Sequence, residues 1–389
     1  LDRPLSAVSI DFCPDFSKHR VRIARSILNS MPSMKMLAHS LSLLLTALAC
    51  GPIGAETSSQ TFKVFVIADL NSSYGSTQYS TRVTSAIERI KRQEADLVLS
   101  AGDMVAGQKS DLDFLAMWSS FHKHVTLPLD QAQIPLLPSP GNHDAALGRE
   151  IERAHYQKTF ESFSIDRFNS KRDFNTQVRW VTGVEQNFPF YYAVTMGPSL
   201  MIALDATAPG GFGRPQLDWL DGTLSKNKDA KLKIIFGHMP LLPFAFERAH
   251  EHLSTNIAFG VELENLLERH GVQLMINGHH HVYYQGHRNG TTQYVSVPLL
   301  GSGARKLLTR NRTEAKTSPE GTIEIQFDGT GAYTVRAIQV PSGEEVPLKS
   351  LPAQINVPVS DAKDCRNCAN FPSSLFIDSS LRNLFNRAE

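Results

Sequence analysis

Five short patterns in the chain bring together side chains that metals seek. They are Asp69-Leu70-Asn71, Gly102-Asp103, Gly141-Asn142-His143-Asp144, Gly237-His238 and Gly278-His279-His280-His281. Carboxylate oxygen, amide oxygen and imidazole nitrogen in combination suit borderline divalent ions such as Zn²⁺, Mn²⁺ or Fe. Each pattern alone is ordinary, since an Asp after a strand commonly caps a helix and a lone Gly-His is commonly structural. Five in order, each following a strand-like run, point to one chemistry. The glycines permit tight turns and let the backbone approach an ion closely.

The elements that must position these residues are legible as apolar runs. Val64–Ala68, Leu97–Ser100, Leu136-Leu137, Met201–Leu204, Ile234–Phe236 and Leu274–Ile276 are of strand length and bounded by Gly, Pro, Asp or Asn. Buried strands fit them better than helices. Val83, Ala86, Ile87 and Ile90 repeat at helical spacing, and Leu112, Leu115, Trp118 and Phe121 suggest a second helix. Strand–helix–strand order predicts an α/β core, where sites gather at the carboxyl ends of strands. Thr322–Phe327 and Tyr333–Val340 alternate around a turn at Asp328–Gly331, which predicts an antiparallel hairpin contributing to a second sheet layer. Asp205 also ends an apolar run, but it lacks metal-seeking neighbours and reads as structural.

Composition bounds the partners. The chain has 389 residues, 39 Lys+Arg against 38 Asp+Glu, and a net charge of +1. No global field draws it to nucleic acid or anionic membranes, which favours a small-molecule substrate. Near the start, Met34-Lys35-Met36 precedes the apolar Leu37–Ala49, which ends in the small-x-small Ala47-Leu48-Ala49. Residues 31–55 read as a signal peptide, shorter than the roughly 20 residues of a membrane span. Residues 1–30, with Cys13, then form an upstream extension or a misplaced start. Export, secreted or periplasmic, is expected, with membrane attachment only if Cys50 is lipidated. Residues 62–341 form the predicted domain and 342–389 a polar tail. Cys365 and Cys368 in that tail have no second pair to complete a zinc site, so a local disulfide is favoured over redox chemistry or metal.

Taken together, the five motifs resemble those of the calcineurin-like metallophosphoesterase superfamily, of the purple acid phosphatase and cyclic nucleotide phosphodiesterase type. The resemblance covers Phe62 to Val340. It implies an α/β, four-layer fold, a two-sheet β-sandwich flanked by helices, and a site for two divalent ions (Mn, Fe or Zn). By that resemblance Asp103 bridges the ions, Asp69 and His281 complete the first position, and Asn142, His238 and His279 complete the second. Two ions roughly 3.5–4 Å apart clamp a phosphoryl oxygen and convert a bridging water to hydroxide. His143, beside the substrate-facing Asn142, would donate to the phosphate or protonate the leaving alkoxide. Asp144 would either orient that imidazole or cap a helix.

The chain departs from the superfamily pattern at the first position. Asn71 stands where a His is usual, and its amide oxygen is a weaker ligand. Purple acid phosphatases carry a Tyr three residues after their Gly-Asp, where this chain has Ala106. A weaker or exchangeable first position is expected, with Tyr74 a packed or substrate-facing ring rather than a replacement ligand. Arg305, in Gly301–Arg305, would offer a guanidinium to the phosphate. The basic residues from Arg305 to Lys316 read as a solvated face. His280 reads as structural or as a support behind the ligands, His250 and His252 as a solvated loop, and His122 and His124 as surface residues. The functional expectation is an exported metal-dependent phosphoesterase acting on mono- or diesters of small molecules. The alternative, motivated by Asn71, is a degenerate member that binds metal or a phosphorylated ligand without turnover.

Overall fold

The computed structural model describes residues 60–351 apart from 209–212, 246–247, 249–256, 289 and 309–314. The upstream extension, the signal peptide, all four cysteines, His250, His252 and the tail beyond residue 351 lie outside the described residues. In chain order the elements that matter here begin with β1 (Thr61–Ile67), α1 (Thr81–Arg92), β2 (Leu97–Ser100), α2 (Phe114–Phe121), α3 (Leu127–Gln131) and β3 (Leu136–Pro138). Then come α4 (Asn142–Ala145), α5 (Glu150–Phe160), α6 (Ile165–Asn169), β4 (Val178–Trp180), β5 (Tyr192–Met196), β6 (Ser199–Ala203) and α7 (Arg214–Lys226). The series closes with β7 (Leu232–Gly237), α8 (Ile257–Arg269), β8 (Leu274–Asn277), β9 (Tyr284–His287), β10 (Gln293–Ser296), β11 (Lys306–Leu308), β12 (Ala315–Thr317), β13 (Gly321–Asp328) and β14 (Tyr333–Gln339).

Two sheets face each other. One has the order β14-β13-β1-β2-β3 and the other β4-β5-β6-β7-β8-β10-β9. Strand alternation sorts the side chains into layers. Val64 and Val66 of β1 and Leu97 and Leu99 of β2 pack inward against Met201, Ile234, Phe236 and Ile276 of the opposite sheet. The alternate residues Phe65, Ile67 and Val98 turn outward onto Val83, Ile87 and Ile90 of α1, with Trp118 and Phe160 in the same cluster. On the far side Leu200, Ile202, Ile235 and Met275 pack on Leu217, Leu220 and Leu224 of α7 and Leu263, Leu266 and Leu267 of α8. Three apolar interfaces separate four layers: helices, sheet, sheet, helices. That is the architecture expected from the sequence.

The hairpin takes a different place from the one expected. β13 pairs antiparallel with β1, and β14 with β13, so the hairpin completes the first sheet. The second sheet is built from β4 to β10. Alternating hydrophobicity reports which face of a strand is buried, not which edge it joins. Beyond β14, Val346 is buried and its N–H donates to the Ala337 carbonyl, so the segment after Pro341 runs back along β14.

The parallel strands set up the site. β1, β2 and β3 run parallel, as do β6, β7 and β8. Their carboxyl ends therefore open at one edge of the sandwich, and the chain leaves them at Asp69, Asp103, Asn142, His238 and His279.

Candidate metal centre

The loops after β1, β2 and β8 adopt backbone conformations that ordinary residues avoid. Asp69 (φ 52°), Asp103 (φ 56°), His279 (φ 68°) and His281 (φ 56°) all lie in the left-handed region. Such conformations cost of order 1–3 kcal/mol each and persist where the surroundings over-determine them. Hydrogen bonds do so here. Asp69 N–H donates to the Gly102 carbonyl (3.0 Å), Leu70 N–H to the Asp103 carbonyl (2.9 Å) and Gly301 N–H to the Asp69 carbonyl (2.7 Å). The His279 N–H donates to the Asp69 carboxylate, 3.0 Å from either oxygen. At Gly141 a Cβ would lie 2.1 Å from Asp103 N and 2.2 Å from its Oδ1, so only glycine fits.

One group of donors is made by Asp69, Asp103 and His281, whose ligand atoms all lie within 4.8 Å of one another. His281 Nε2 stands 3.4 Å from Asp69 Oδ1, while its Nδ1 is 2.8 Å from the Gly303 carbonyl. Beside this lies a second group. Asn142 Oδ1 is 2.7 Å from His238 Nε2 and 2.8 Å from His279 Nδ1, those nitrogens are 3.2 Å apart, and Asp103 Oδ1 is 3.3 Å from His238 Nε2. Spacings of about 3 Å are what donors held about 2.0–2.2 Å from one ion present to each other. His238 Nδ1 is 2.8 Å from the Ala101 carbonyl. An N–H on Nδ1 donating to that carbonyl leaves the Nε2 lone pair for an ion, as the Gly303 carbonyl does for His281.

The buried charges of the two donor groups act strongly on one another. Burial works to raise the Asp103 carboxyl, but the facing His238 and His143 and their hydrogen bonds outweigh it and hold it well below the usual carboxylate range. Burial works to lower His238, but the Asp103 and Asp69 charges lift it to about 9. His281 is raised in the same way, mainly by Asp69 against the effect of burial. The buried acids and the imidazoles that face them favour one another's charged forms. The donor set, its spacing and its charge therefore fit divalent ions.

Most of the predicted residues meet here. Asp69, Asp103, Asn142, His238, His279 and His281 form the two donor groups, and His143 lies at their border. Its N–H donates to Asp103 Oδ1 (2.9 Å), and its Nε2 is 3.9 Å from Asp103 Oδ2. Asn71 is buried alongside, with its amide nitrogen donating to the Val105 carbonyl (3.3 Å), a bond that ties the β1 loop to the Asp103 loop. Tyr74 is stacked on His143 by one face and about half exposed. Arg305 is half-buried, and its Nε has no hydrogen-bond partner among the described residues.

Asp144 does not orient the imidazole. Its Oδ1 accepts from the N–H groups of Met104 (2.8 Å) and Val105 (2.9 Å), and its Oδ2 accepts from Gly141 N–H (2.9 Å) at the start of α4. It clamps the Asp103 loop to the Asn142 loop, so of the two expected roles the cap is the one it fills, with a tie to the Asp103 loop added. Burial and the Asp103 charge push its carboxyl up to about 7, against the pull of those N–H groups. His280 is structural as expected, its Nδ1 accepting from Phe244 N–H (2.9 Å). Asp205 pairs with Arg153 (2.7 Å). His122 is exposed, but His124 is half-buried, packed on Tyr79 and bonded to Ser120.

Two residues near the centre escaped the sequence reading. Arg248 Nη1 lies 3.5 Å from His279 Nε2, and Lys109 Nζ lies 4.6 Å from the Tyr74 ring centre. The only signal for Arg248 was its place in the segment after Gly237-His238, among the histidines at 250 and 252.

A family model described as calcineurin-like phosphoesterase matches residues 62–283. The chain belongs to the calcineurin-like phosphoesterase family. The matched segment carries all five motifs. Solved structures similar to it include a dimetal phosphatase from Danio rerio, 14% identical, covering 70% of this chain and 98% of that one with a TM-score of 0.43. GAP50, described as the anchor in the inner membrane complex of Plasmodium, is 14% identical over 74% of this chain and 87% of its own, with a TM-score of 0.48. Vacuolar protein sorting 29 from Cryptosporidium parvum is 13% identical over 74% and 95%, with a TM-score of 0.32.

Proposed function

We propose that this chain is a dinuclear metal-dependent hydrolase of phosphate mono- or diesters of small molecules. The observation that carries the reading is the convergence of six donor residues from five loops into two groups that share Asp103, with His143 at the same carboxylate. Two divalent ions held there would polarise the phosphoryl oxygens and activate water. Asp69, His281 and Asp103 would hold one, with Asn71 beside them; Asp103, Asn142, His238 and His279 would hold the other.

The chain's own residues supply the rest. His143 presents Nε2 at the edge of Asp103, within reach of a departing ester oxygen, and transfers its proton there as the P–O bond breaks. Asp144 keeps the two loops that carry Asp103 and His143 in register. Arg248 and Arg305 offer guanidinium groups to the remaining phosphate oxygens, where planar donors match the anion. The export read from residues 31–55 belongs to the same proposal, and the amino-terminal residue of the mature protein tests it.

The test starts from chelated protein reloaded separately with Mn²⁺, Zn²⁺ and Fe, then assayed on a panel of phosphate monoesters, diesters and nucleotides. The reading expects up to two ions per chain and metal-dependent release of alcohol, with phosphate from a monoester or a monoester from a diester. Stoichiometric metal with no hydrolysis on any ester would establish the binding-only alternative instead.

A further inference from the structure

Tyr74 is 49% exposed, yet its ring stacks on His143, with centroids 5.5 Å apart and planes 29° from parallel. Lys109 Nζ lies 4.6 Å from the centre of the same phenol ring. The loop that carries Tyr74 is pinned in place, because Gly75 N–H donates to the Ala106 carbonyl (2.9 Å). Tyr74 therefore reaches the centre beside residue 106.

The backbone of His143 is fixed from both sides. Its N–H donates to Asp103 Oδ1, and its carbonyl accepts from Gly107 N–H (3.0 Å). The ring is held differently. His143 Nδ1 is buried and has no hydrogen-bond partner among the described residues, and Nε2 is 3.9 Å from the nearest Asp103 oxygen, beyond hydrogen-bonding range. The outer torsion of an imidazole is soft, so a ring without a hydrogen bond swings unless a neighbour packs its face. Tyr74 is that neighbour.

We propose that Tyr74 is the positioning residue for His143. Its ring, with Lys109 against it, holds the imidazole in the plane that keeps Nε2 turned toward the departing oxygen. The proposal rests on the phosphoesterase reading, and it assigns Tyr74 a role in leaving-group departure rather than in metal binding. Stacking of aromatic rings is modest, so the effect is a partial loss of rate.

The experiment uses the full chain loaded with metal and two substrates, an alkyl phosphate, whose leaving oxygen needs a proton, and 4-nitrophenyl phosphate, whose leaving oxygen does not. Tyr74→Ala is expected to lower kcat on the alkyl ester by about three- to tenfold, with KM and metal content unchanged and little effect on the nitrophenyl ester. Tyr74→Phe should restore most of the loss. In a His143→Ala background, Tyr74→Ala should add nothing. Equal loss on both esters, loss of metal, a Tyr74→Phe defect as deep as that of Tyr74→Ala, or an additive double variant would each overturn the assignment. A readout independent of turnover keeps the two readings apart. The ring protons of His143 should shift in the NMR spectrum of Tyr74→Ala and return toward their original positions in Tyr74→Phe. If no ester is hydrolysed but the shift is seen, the phosphoesterase reading fails while the packing stands; unmoved resonances in Tyr74→Ala overturn the packing.

Discussion

The first sheet buries acidic side chains in two places, and they are treated in opposite ways. Glu324 on β13 is 1% exposed and fully matched by protein groups. Arg89 Nη2 lies 3.0 Å from one oxygen, and Arg336 Nη2 and Gln326 Nε2 each lie 2.6 Å from the other. Asp69 and Asp103, at the ends of β1 and β2, are equally buried but face imidazoles, backbone N–H groups and each other. They sit on left-handed backbone, while Glu324 lies in a regular ladder between β1 and β14. A buried charge that serves only the fold is paired with a fixed cation of the chain. Asp69 and Asp103 have no such cation beside them among the described residues and are left to imidazoles and turns, the setting in which the proposed ions would sit.

That contrast can be broken at either end. The largest effect is expected from Asp103→Ala, which removes the group shared by both donor sets. Hydrolysis of a chromogenic phosphate ester should drop to background with metal content reduced, and undiminished activity would sink the assignment. Next is His143→Ala, expected to slow turnover of an alkyl phosphate by about 10²–10⁴-fold while elemental analysis finds the metal content intact. Loss of metal there would mean that His143 is a ligand.

Glu324→Gln should do the reverse of both. It should leave metal content and turnover per folded molecule unchanged and lower unfolding stability by about 3 kcal/mol at neutral pH, read by denaturant titration. The pH dependence follows from the sign of the shift. Burial alone would raise the Glu324 carboxyl, but Arg89, Gln326 and Arg336 outweigh it and hold it below the ordinary 4.5. A lowered pKa means the contribution is fully present above that ordinary value and fades as pH falls through the folded-state value. The gap between wild type and Glu324→Gln should therefore close in acid. A gap constant down to acid pH would show that the stabilisation is not carried by the charge.

The smallest expected effect is that of Asn71→His. If Asn71 faces the first position, an imidazole there should tighten that ion about tenfold, measured by competition with a chelator. Unchanged affinity would place Asn71 with its observed partner Val105 alone, as a tie between loops.

How much of this was legible beforehand differs residue by residue. Asp69, Asp103, His238 and His279 follow strands whose apolar runs stand out, so their delivery to one edge follows from chain direction and strand parallelism. Asp144 was readable as a cap or as a support for the imidazole but not as a clamp, because the N–H groups of Met104 and Val105 that it holds lie about forty positions away. The edge taken by the β13–β14 hairpin was equally hidden, because alternation marks a buried face and says nothing of the neighbouring strand.

The sequence by itself determined which donors stand at strand ends, the α/β class and the amphipathic helices. These depend on covalent adjacency and short-range periodicity, which every copy of the chain carries before it folds. Only the tertiary structure decided that Tyr74 lies on His143, that Arg248 stands beside His279, and that Glu324 is paired with arginines while Asp69 and Asp103 face imidazoles and backbone N–H groups. Those outcomes depend on how loops from distant strands meet, and no local spacing encodes the distance between them.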